Sequence, residues 1–237
     1  MDKNENAEKD NDILTIGIDD AGRGPVLGSM FLAGVLVTNK TKLELKKEGV
    51  KDSKQVIHST RIRLAKIIQE KVVDYKVVKS SPEEIDEAVL RGRNLNTLEA
   101  QKTAELINLL NTEKDKIRVI IDCPSTNPTA WRKTLFEFIK HPDNLEIVCE
   151  HKADVNHPEV SAASILAKVA REEEVEKIHK EYGETGSGYP ADPKTKEFLK
   201  EFGRKLENSG LFRKSWAPWK LLYPEKAQSR LDSFKSE

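Results

Sequence analysis

A short apolar run that ends in two adjacent aspartates and then in glycines constrains this chain more than any other feature. Residues 14–18 have the composition of a β-strand, Asp19 and Asp20 follow directly, and the loop Gly-Arg-Gly-Pro occupies residues 22–25. Adjacent ionised carboxylates repel each other, so a fold tolerates them only in open water or around a cation. Glycines let the backbone approach a ligand closely, and the planar fork of Arg23 suits phosphate. The segment therefore indicates a metal and phosphate site at the mouth of a sheet, with capping aspartates of a solvated turn as the alternative.

Two common nucleotide-binding motifs do not fit this glycine loop. A dinucleotide-binding fingerprint needs its third glycine where the chain has Leu27, and Gly28 comes one position too late. A P-loop needs Gly-Lys-Ser/Thr, which the loop lacks. The loop is therefore not a standard nucleotide cradle.

The composition is that of a soluble globular protein, with 37% hydrophobic and 34% charged residues. No apolar run approaches the roughly 20 residues of a membrane span, and no secretory signal stands at the N-terminus, so we expect a cytoplasmic protein. Two cysteines, Cys123 and Cys149, form neither a disulfide framework nor a zinc pattern. The formal net charge is zero, but residues 194–220 carry eight basic and three acidic side chains. These basic side chains either lie on a solvated helix face or form a surface that binds a phosphate backbone.

Strand and helix patterns alternate up to about residue 180, and helical patterns dominate afterwards. The predicted strands are 14–18, Met30–Val37, 72–78, 117–121 and 145–148. The predicted helices are 61–71, Pro82–Leu90, 98–110, 131–139 and Pro158–Tyr182. We therefore expect an α/β core over residues 13–182 and a C-terminal helical subdomain over 183–224. Residues 1–12 and 225–237 are expected to form a disordered and a flexible tail.

Four carboxylates from three distant segments stand where predicted elements begin or end. Asp122 ends the strand 117–121 as Asp19 and Asp20 end the first, and Asp154 comes shortly before a predicted helix. Taken singly, Asp122 is also readable as a turn residue and Asp154 as a helix cap. Taken together, they are the hard oxygen ligands on rigid elements that a divalent-cation site for phosphoryl chemistry requires.

Six motifs, in this order along residues 13–222, carry a family resemblance. They are GIDDAGRGPVLG, KDSK at 51–54, NLNTLEA at 94–100, IDCP, HKADVNHPEVSAASILAKVARE and GSGYPADPKT. This set resembles the type 2 ribonucleases H, above all archaeal ribonuclease HII and the related catalytic subunit of the eukaryotic enzyme. The resemblance implies an RNase H-like α/β fold, a mixed sheet flanked by helices with a C-terminal helical subdomain. It also implies cleavage of RNA in RNA/DNA hybrids and on the 5′ side of single ribonucleotides in duplex DNA, as in ribonucleotide excision repair and RNA primer removal.

By the same resemblance, Asp19, Asp20, Asp122 and Asp154 are catalytic acids that hold two divalent ions, Mg²⁺ or Mn²⁺. Hydrolysis by two metal ions would leave a 3′-hydroxyl and a 5′-phosphate without a side-chain nucleophile. Asp20 stands where the family more often has Glu, which draws the carboxylate back by roughly 1.5 Å. We expect activity to survive this departure, with a different metal preference or rate.

The residues that the resemblance assigns to substrate binding are Gly22, Arg23, Gly24, Lys54, Asn96 and Tyr189. The glycine loop is expected to meet the ribose 2′-hydroxyl through its backbone, since a Cβ would obstruct that approach. Tyr189 is expected to stack on the sugar of the next nucleotide and so to sense the RNA–DNA junction, with packing on a subdomain seam as the alternative. Lys54 and Asn96 are expected to hold neighbouring phosphates, which position the strand without reading its sequence. Lys168 and Arg171 are left with two options, contact with phosphate or pairing with glutamates 172–174.

The last residues resemble a sliding-clamp-binding peptide. Gln228, Leu231 and Phe234 have the required spacing, and Lys235 replaces the usual second aromatic residue. A flexible tail with incidental apolar residues is the alternative. Similarity to archaeal enzymes also implies a monomer that acts alone.

Three other functions share part of this pattern. A phosphoacceptor receiver domain has paired acids after its first strand, but it is about half as long and leaves the glycine loop unexplained. A junction resolvase on the same scaffold would differ in the structure of its substrate. A non-catalytic nucleic-acid-binding protein on the same fold is the alternative from another functional class, and metal-independent binding without cleavage would identify it.

Overall fold

The computed structural model describes residues 13–50 and 56–224, where helices flank a central sheet. The strands are β1 Leu14–Ala21, β2 Met30–Val37, β3 Asp74–Ser80, β4 Ile117–Asp122 and β5 Leu145–Glu150. The first helices are α1 Asn39–Lys47, α2 His58–Lys71, α3 Pro82–Leu90, α4 Leu95–Leu110 and α5 Pro128–Phe136. The later ones are α6 Ala153–Asn156, α7 Pro158–Tyr182, α8 Pro193–Phe202 and α9 Ala217–Leu222.

The sheet is mixed and has the strand order β3-β2-β1-β4-β5. Strand β1 pairs antiparallel with β2 and parallel with β4, and β4 pairs parallel with β5. In this register Ile18 lies beside Ile121. The carboxyl ends of β1 and β4 therefore meet at one edge of the sheet, which brings the acids of both strands together. The predicted mixed sheet with flanking helices is confirmed.

The two faces of the sheet bury separate hydrophobic clusters. Ile16 and Ile18 of β1 pack with α4 and α5 on one face, while α1, α2 and α7 cover the other. All eight residues of β2 are buried, as expected for a strand covered on both sides. Gly17 lets α7 lie directly on β1, because a Cβ at this position would stand within 2.6 Å of the Val160 nitrogen. This close contact brings the start of α7, and the acid just before it, to the edge where β1 ends.

The segment after residue 183 packs on the glycine loop through a third cluster. Val26 and Leu27, which directly follow that loop, contact the aromatic residues of the C-terminal segment, and Leu27 forms an isolated β-bridge with Phe212. Trp219 is buried between Phe212 and Tyr223. A subdomain boundary at residue 183 stays a prediction. Over residues 13–50 and 56–224, every helix is too short or too polar to cross a membrane.

The sequence patterns did not predict helices α1 and α6. Helix α1 buries only Thr41 and Leu45 and is otherwise polar, so its hydrophobic pattern is weak. Its start is fixed by Thr38, whose hydroxyl accepts a hydrogen bond from the Thr41 amide. Helix α6 is a single turn after Lys152, which has a left-handed φ of 61°. Such a turn carries no periodic signal.

Candidate active site

Three carboxylates converge at the edge where β1 and β4 end. Asp19 comes from β1, Asp122 from the end of β4 and Asp154 from α6, and one oxygen of each lies within 4.8 Å of the other two. Asp122 Oδ1 accepts a hydrogen bond of 3.1 Å from the Ala153 amide, which ties α6 to the end of β4. The turn at Lys152 therefore places Asp154 against acids that lie more than thirty positions earlier in the chain.

The crowding of these acids is visible in the pKa of Asp19. Burial raises the pKa of Asp19 well above its usual range, and the charges of Asp20 and Asp122 raise it further, against a hydrogen bond from Ser164. Buried carboxylates that repel one another need a cation, and their hard oxygen atoms suit Mg²⁺ or Mn²⁺. The donor set therefore fits the divalent ions that the sequence implies.

Asp20 borders the three acids but is not one of the group. Its side chain is half-buried and lines the same cleft. Burial raises its pKa to about 6; the positive charge of Arg23 opposes this rise, and the negative charge of Asp122 adds to it. Of the four predicted acids, three therefore converge directly and Asp20 stands beside them.

An open cleft of about 410 Å³ lies over the acids. Its lining residues are Asp19, Asp20, Ala21, Gly22, Arg23, Gly24, Arg61, Asp122, Asp154, Lys168, Arg171, Glu172 and Tyr189. The cleft thus has an acidic floor and basic side chains on its walls, which suits a phosphate backbone that approaches bound cations. A cavity of about 530 Å³ between α3 and residues 207–214 contains none of the predicted site residues.

The glycine loop and Tyr189 form one wall of this cleft. Gly22 has a φ of 83°, and a Cβ there would lie 2.9 Å from both the Ser29 carbonyl oxygen and Arg171 Cδ. A Cβ at Gly24 would stand 3.3 Å from a carbon of the Tyr189 ring, which is 40% exposed. Any larger residue at either position would therefore displace this wall.

Arg171 also contacts the Tyr189 ring. Its guanidinium carbon lies 4.9 Å from the ring centroid, and its Nη2 donates a 2.5 Å hydrogen bond to the Ser187 carbonyl. Lys168 Nζ donates to Ser164 Oγ at 3.1 Å and also lines the cleft. Both residues line the cleft, and the choice between phosphate contact and pairing with glutamates 172–174 stays a prediction.

The side chain of Arg23 is engaged inside the protein. Its Nη1 donates to the Pro124 carbonyl at 2.7 Å, and its Nη2 donates to Asn96 Oδ1 at 2.6 Å. Its Nε lies 3.4 Å from Glu99 Oε1. In this geometry Arg23 and Asn96 bind each other, so the contact of either with phosphate stays a prediction.

Glu99 is a site neighbour that the sequence reading missed. It is 1% exposed, and neither carboxylate oxygen has a hydrogen-bond partner among the described residues. Burial raises its pKa to about 8, and the charge of Asp20 adds to the rise, while Arg23 opposes it. The side chain is therefore largely protonated at neutral pH. Glu99 lies in the motif NLNTLEA, but nothing in the sequence alone predicts that its side chain is buried and not exposed on a helix.

Four predicted residues lie outside the described part of the chain. They are Lys54, Gln228, Leu231 and Phe234. Arg61 hydrogen-bonds the Val56 carbonyl and the Glu172 carboxylate, which attaches the start of α2 to α7 beside the cleft. The phosphate contact of Lys54 stays a prediction.

Comparison with known proteins agrees with this geometry. The sequence profile of the family described as ribonuclease HII matches residues 16–218. A ribonuclease HII of Methanococcus maripaludis strain C5 is 42% identical over 229 residues, which cover 95% of this chain and 94% of that protein.

Two solved structures share the fold. Ribonuclease H2 from Pyrococcus horikoshii OT3 has a TM-score of 0.80 at 36% identity, covering 89% of this chain and 97% of that one. A chain from the PCNA:RNase HII complex of Archaeoglobus fulgidus has a TM-score of 0.75 at 37% identity, covering 86% and 95% respectively. The predicted RNase H-like fold and the family resemblance are confirmed. This chain belongs to the ribonuclease HII family, whose members are metal-dependent endoribonucleases.

Proposed function

We propose that this protein cuts the RNA strand of RNA/DNA hybrids and, in duplex DNA, the phosphodiester on the 5′ side of a single ribonucleotide. The observation that carries the proposal is the joint placement of three acids, the glycine loop and Tyr189 around one cleft. The acids would lie at the scissile phosphate, and the glycine loop would contact the neighbouring sugar. An enzyme can select a ribonucleotide only if its site contacts the sugar beside the scissile bond, because the 2′-hydroxyl distinguishes RNA from DNA.

The residues that would hold the metal are Asp19, Asp122 and Asp154, with Asp20 beside them. Two Mg²⁺ or Mn²⁺ ions would supply the positive charge that lowers the pKa of a water and stabilises the leaving oxygen. In the hydrolysis the water oxygen bonds to phosphorus, the bond from phosphorus to the 3′-oxygen breaks, and the proton that the water gives up ends on that oxygen, which leaves as a hydroxyl. The ribonucleotide keeps the 5′-phosphate. Lys168 and Arg171, on the cleft wall, would attract the incoming strand.

Selectivity for RNA is assigned to the glycine loop and Tyr189. Residues 22 and 24 must be small, because a Cβ there would press on Ser29 and Arg171 or on Tyr189 and so displace the wall that would face the sugar. The Tyr189 ring, held by Arg171, offers a face on which the next sugar can stack. Since neither contact involves a base edge, cleavage should not depend on base identity.

A biological role follows from this specificity. We infer that the enzyme acts in ribonucleotide excision repair and RNA primer removal, in the cytoplasm and as a monomer. A sliding clamp is the proposed partner, bound through Gln228, Leu231 and Phe234. Support comes from the similar Archaeoglobus fulgidus protein, whose structure is a PCNA:RNase HII complex.

The proposal is tested with a labelled DNA duplex that contains one ribonucleotide, beside an all-DNA duplex and a long RNA/DNA hybrid. Each duplex is incubated with Mg²⁺, Mn²⁺ or chelator. We expect metal-dependent cleavage on the 5′ side of the ribonucleotide, no cleavage of DNA, and base-independent rates. If only long hybrids were cleaved, the hypothesis that Tyr189 and the glycine loop recognise the RNA–DNA junction would be wrong.

A matched pair of variants separates the acids from general charge effects. Asp122→Asn should abolish cleavage while its remaining oxygen still accepts from the Ala153 amide. Asp143→Asn changes an exposed aspartate outside the cleft and should cleave like the parent. Metal-independent duplex binding without cleavage by the parent protein would instead identify a non-catalytic nucleic-acid-binding protein.

A further inference from the structure

A buried arginine from the C-terminal segment holds the glycine loop from behind. Arg213 is fully buried, and its guanidinium donates to three backbone carbonyls of one loop. Its Nη2 donates to Gly22 at 2.6 Å, its Nη1 to Arg23 at 2.8 Å and its Nε to Gly28 at 2.9 Å. The planar fork of arginine reaches several acceptors at once in a way that a lysine ammonium cannot. Arg213 therefore fixes the direction of two successive carbonyls in the loop.

Arg213 is itself held firmly by its neighbours in the chain. Asp86 of α3 accepts hydrogen bonds from the Lys214 amide at 2.7 Å, the Ser215 amide at 2.8 Å and the Ser215 hydroxyl at 2.6 Å. The Arg213 amide donates to the Val26 carbonyl at 2.9 Å. Burial lowers the pKa of Arg213 to about 10, so the guanidinium stays charged at neutral pH and its hydrogen bonds are charge-assisted.

The orientation of these carbonyls fixes that of the following amides. In a planar trans peptide, the carbonyl of one residue and the N–H of the next point in opposite directions, and the described residues contain no cis peptide bond. The carbonyls of Gly22 and Arg23 point to Arg213, so the N–H groups of Arg23 and Gly24 point away from it. Over residues 13–50 and 56–224, no backbone carbonyl accepts a hydrogen bond from either of these N–H groups. The same loop lines the cleft, where Gly24 faces Tyr189.

We propose that Arg213 is a positioning residue for ribonucleotide recognition: it turns the N–H groups of Arg23 and Gly24 into the cleft as two donors for the 2′-oxygen of the substrate ribose. This inference rests on the proposed function and names the residue that orients the glycine loop for contact with the sugar. It extends the site to a side chain that is 190 positions from Arg23 and does not touch the substrate. Loss of Arg213 should therefore reduce discrimination for the ribonucleotide more than binding of the duplex as a whole.

The test measures binding in the full chain carrying Asp122→Asn, with Mg²⁺ present so that the duplex is bound but not cut. Dissociation constants are measured for a duplex with one ribonucleotide and for the matching all-DNA duplex. Arg213→Gln should lower the preference for the ribonucleotide by about tenfold, the effect of losing two modest hydrogen bonds, and leave all-DNA binding unchanged. Arg213→Lys, which keeps the charge but reaches fewer carbonyls, should lie between parent and Arg213→Gln. Arg204→Gln removes an exposed guanidinium of the same segment and should keep the full preference.

Each outcome decides the inference. A folded Arg213→Gln protein, by circular dichroism, that keeps the parent's preference overturns it. If Arg213→Gln does not fold, an unchanged preference in Arg213→Lys overturns it in the same way. A parent that binds both duplexes equally refutes the proposed function itself, and the inference falls with it. An equal loss of affinity for both duplexes would overturn it too, because Arg213 would then support the structure in general and not ribonucleotide recognition by the glycine loop.

Discussion

Replacement of Asp20 by Asn should stabilise the metal-free protein at neutral pH, although Asp20 belongs to the active site. Burial raises the pKa of Asp20 from 3.8 to about 6, and Asp122 adds to the rise against Arg23 and Lys168. A shift of this size corresponds to about 3 kcal/mol of unfavourable free energy in the folded state when the group is ionised. An asparagine carries no charge, so the variant avoids that cost.

The dependence on pH follows from the direction of the shift. The folded protein binds a proton on Asp20 near pH 6, whereas the unfolded chain binds it only near pH 4. Between these values the folded state holds more protons, so the free energy of unfolding falls as pH rises and levels off above about pH 7. The raised pKa of Asp19 acts in the same direction.

The assay is urea unfolding in chelator at pH 4.5, 5.5 and 7.5, with parent, Asp20→Asn and the exposed control Asp143→Asn. Comparison of each variant with the parent cancels acids that titrate equally in all three proteins. The gain from Asp20→Asn should be largest at pH 7.5 and vanish towards pH 4.5, while Asp143→Asn shows no such trend. Excess Mg²⁺ should reverse the order, because the ions stabilise the parent through its carboxylates. An Asp20→Asn protein no more stable than the parent at pH 7.5 in chelator would refute this reasoning.

Three further substitutions test separate parts of the structure. Gly17→Ala should lower the free energy of unfolding by roughly 1–3 kcal/mol, because its Cβ would push α7 off β1; an unchanged urea midpoint would contradict that packing. Tyr189→Ala should slow cleavage at a single ribonucleotide more than cleavage of a long hybrid, whereas Tyr189→Phe keeps the ring and should behave like the parent; equal slowing of both substrates by Tyr189→Ala would contradict the junction role. Phe234→Ala should reduce retention on an immobilised cognate sliding clamp, and indifference to the substitution would remove the clamp proposal.

The sequence allowed good prediction of the strands and of where the acids stand. Strand β2 was predicted over its full range, and β1 and β4 were recognised from apolar runs that stop at Asp19 and Asp122. These runs are readable because a buried strand needs apolar residues and a carboxylate ends the run. That the acids meet depends on the parallel pairing of β1 with β4, which local patterns do not reveal.

Long-range contacts account for what the sequence did not reveal. Arg23 donates to Asn96 and the Pro124 carbonyl, 73 and 101 positions away, and no local pattern predicts these partners. Glu99 stood in a recognised motif, but its burial beside Asp20 depends on the packing of α4. Arg213 was counted only as part of a basic segment, because backbone carbonyls as partners leave no trace in the sequence. Such roles depend on tertiary contacts and not on local propensity.

The central claim is that the acids hold cations in contact with the scissile phosphate. It is tested most directly with a single-ribonucleotide duplex in which sulfur replaces one non-bridging oxygen of that phosphate. Sulfur is a poor ligand for Mg²⁺ and a better one for softer ions such as Mn²⁺ or Cd²⁺. Cleavage of one sulfur stereoisomer should fall sharply in Mg²⁺ and recover in the softer ion, while the oxygen substrate shows no such exchange. Equal rates for the sulfur and oxygen substrates in every metal would contradict direct contact between bound cations and the phosphate.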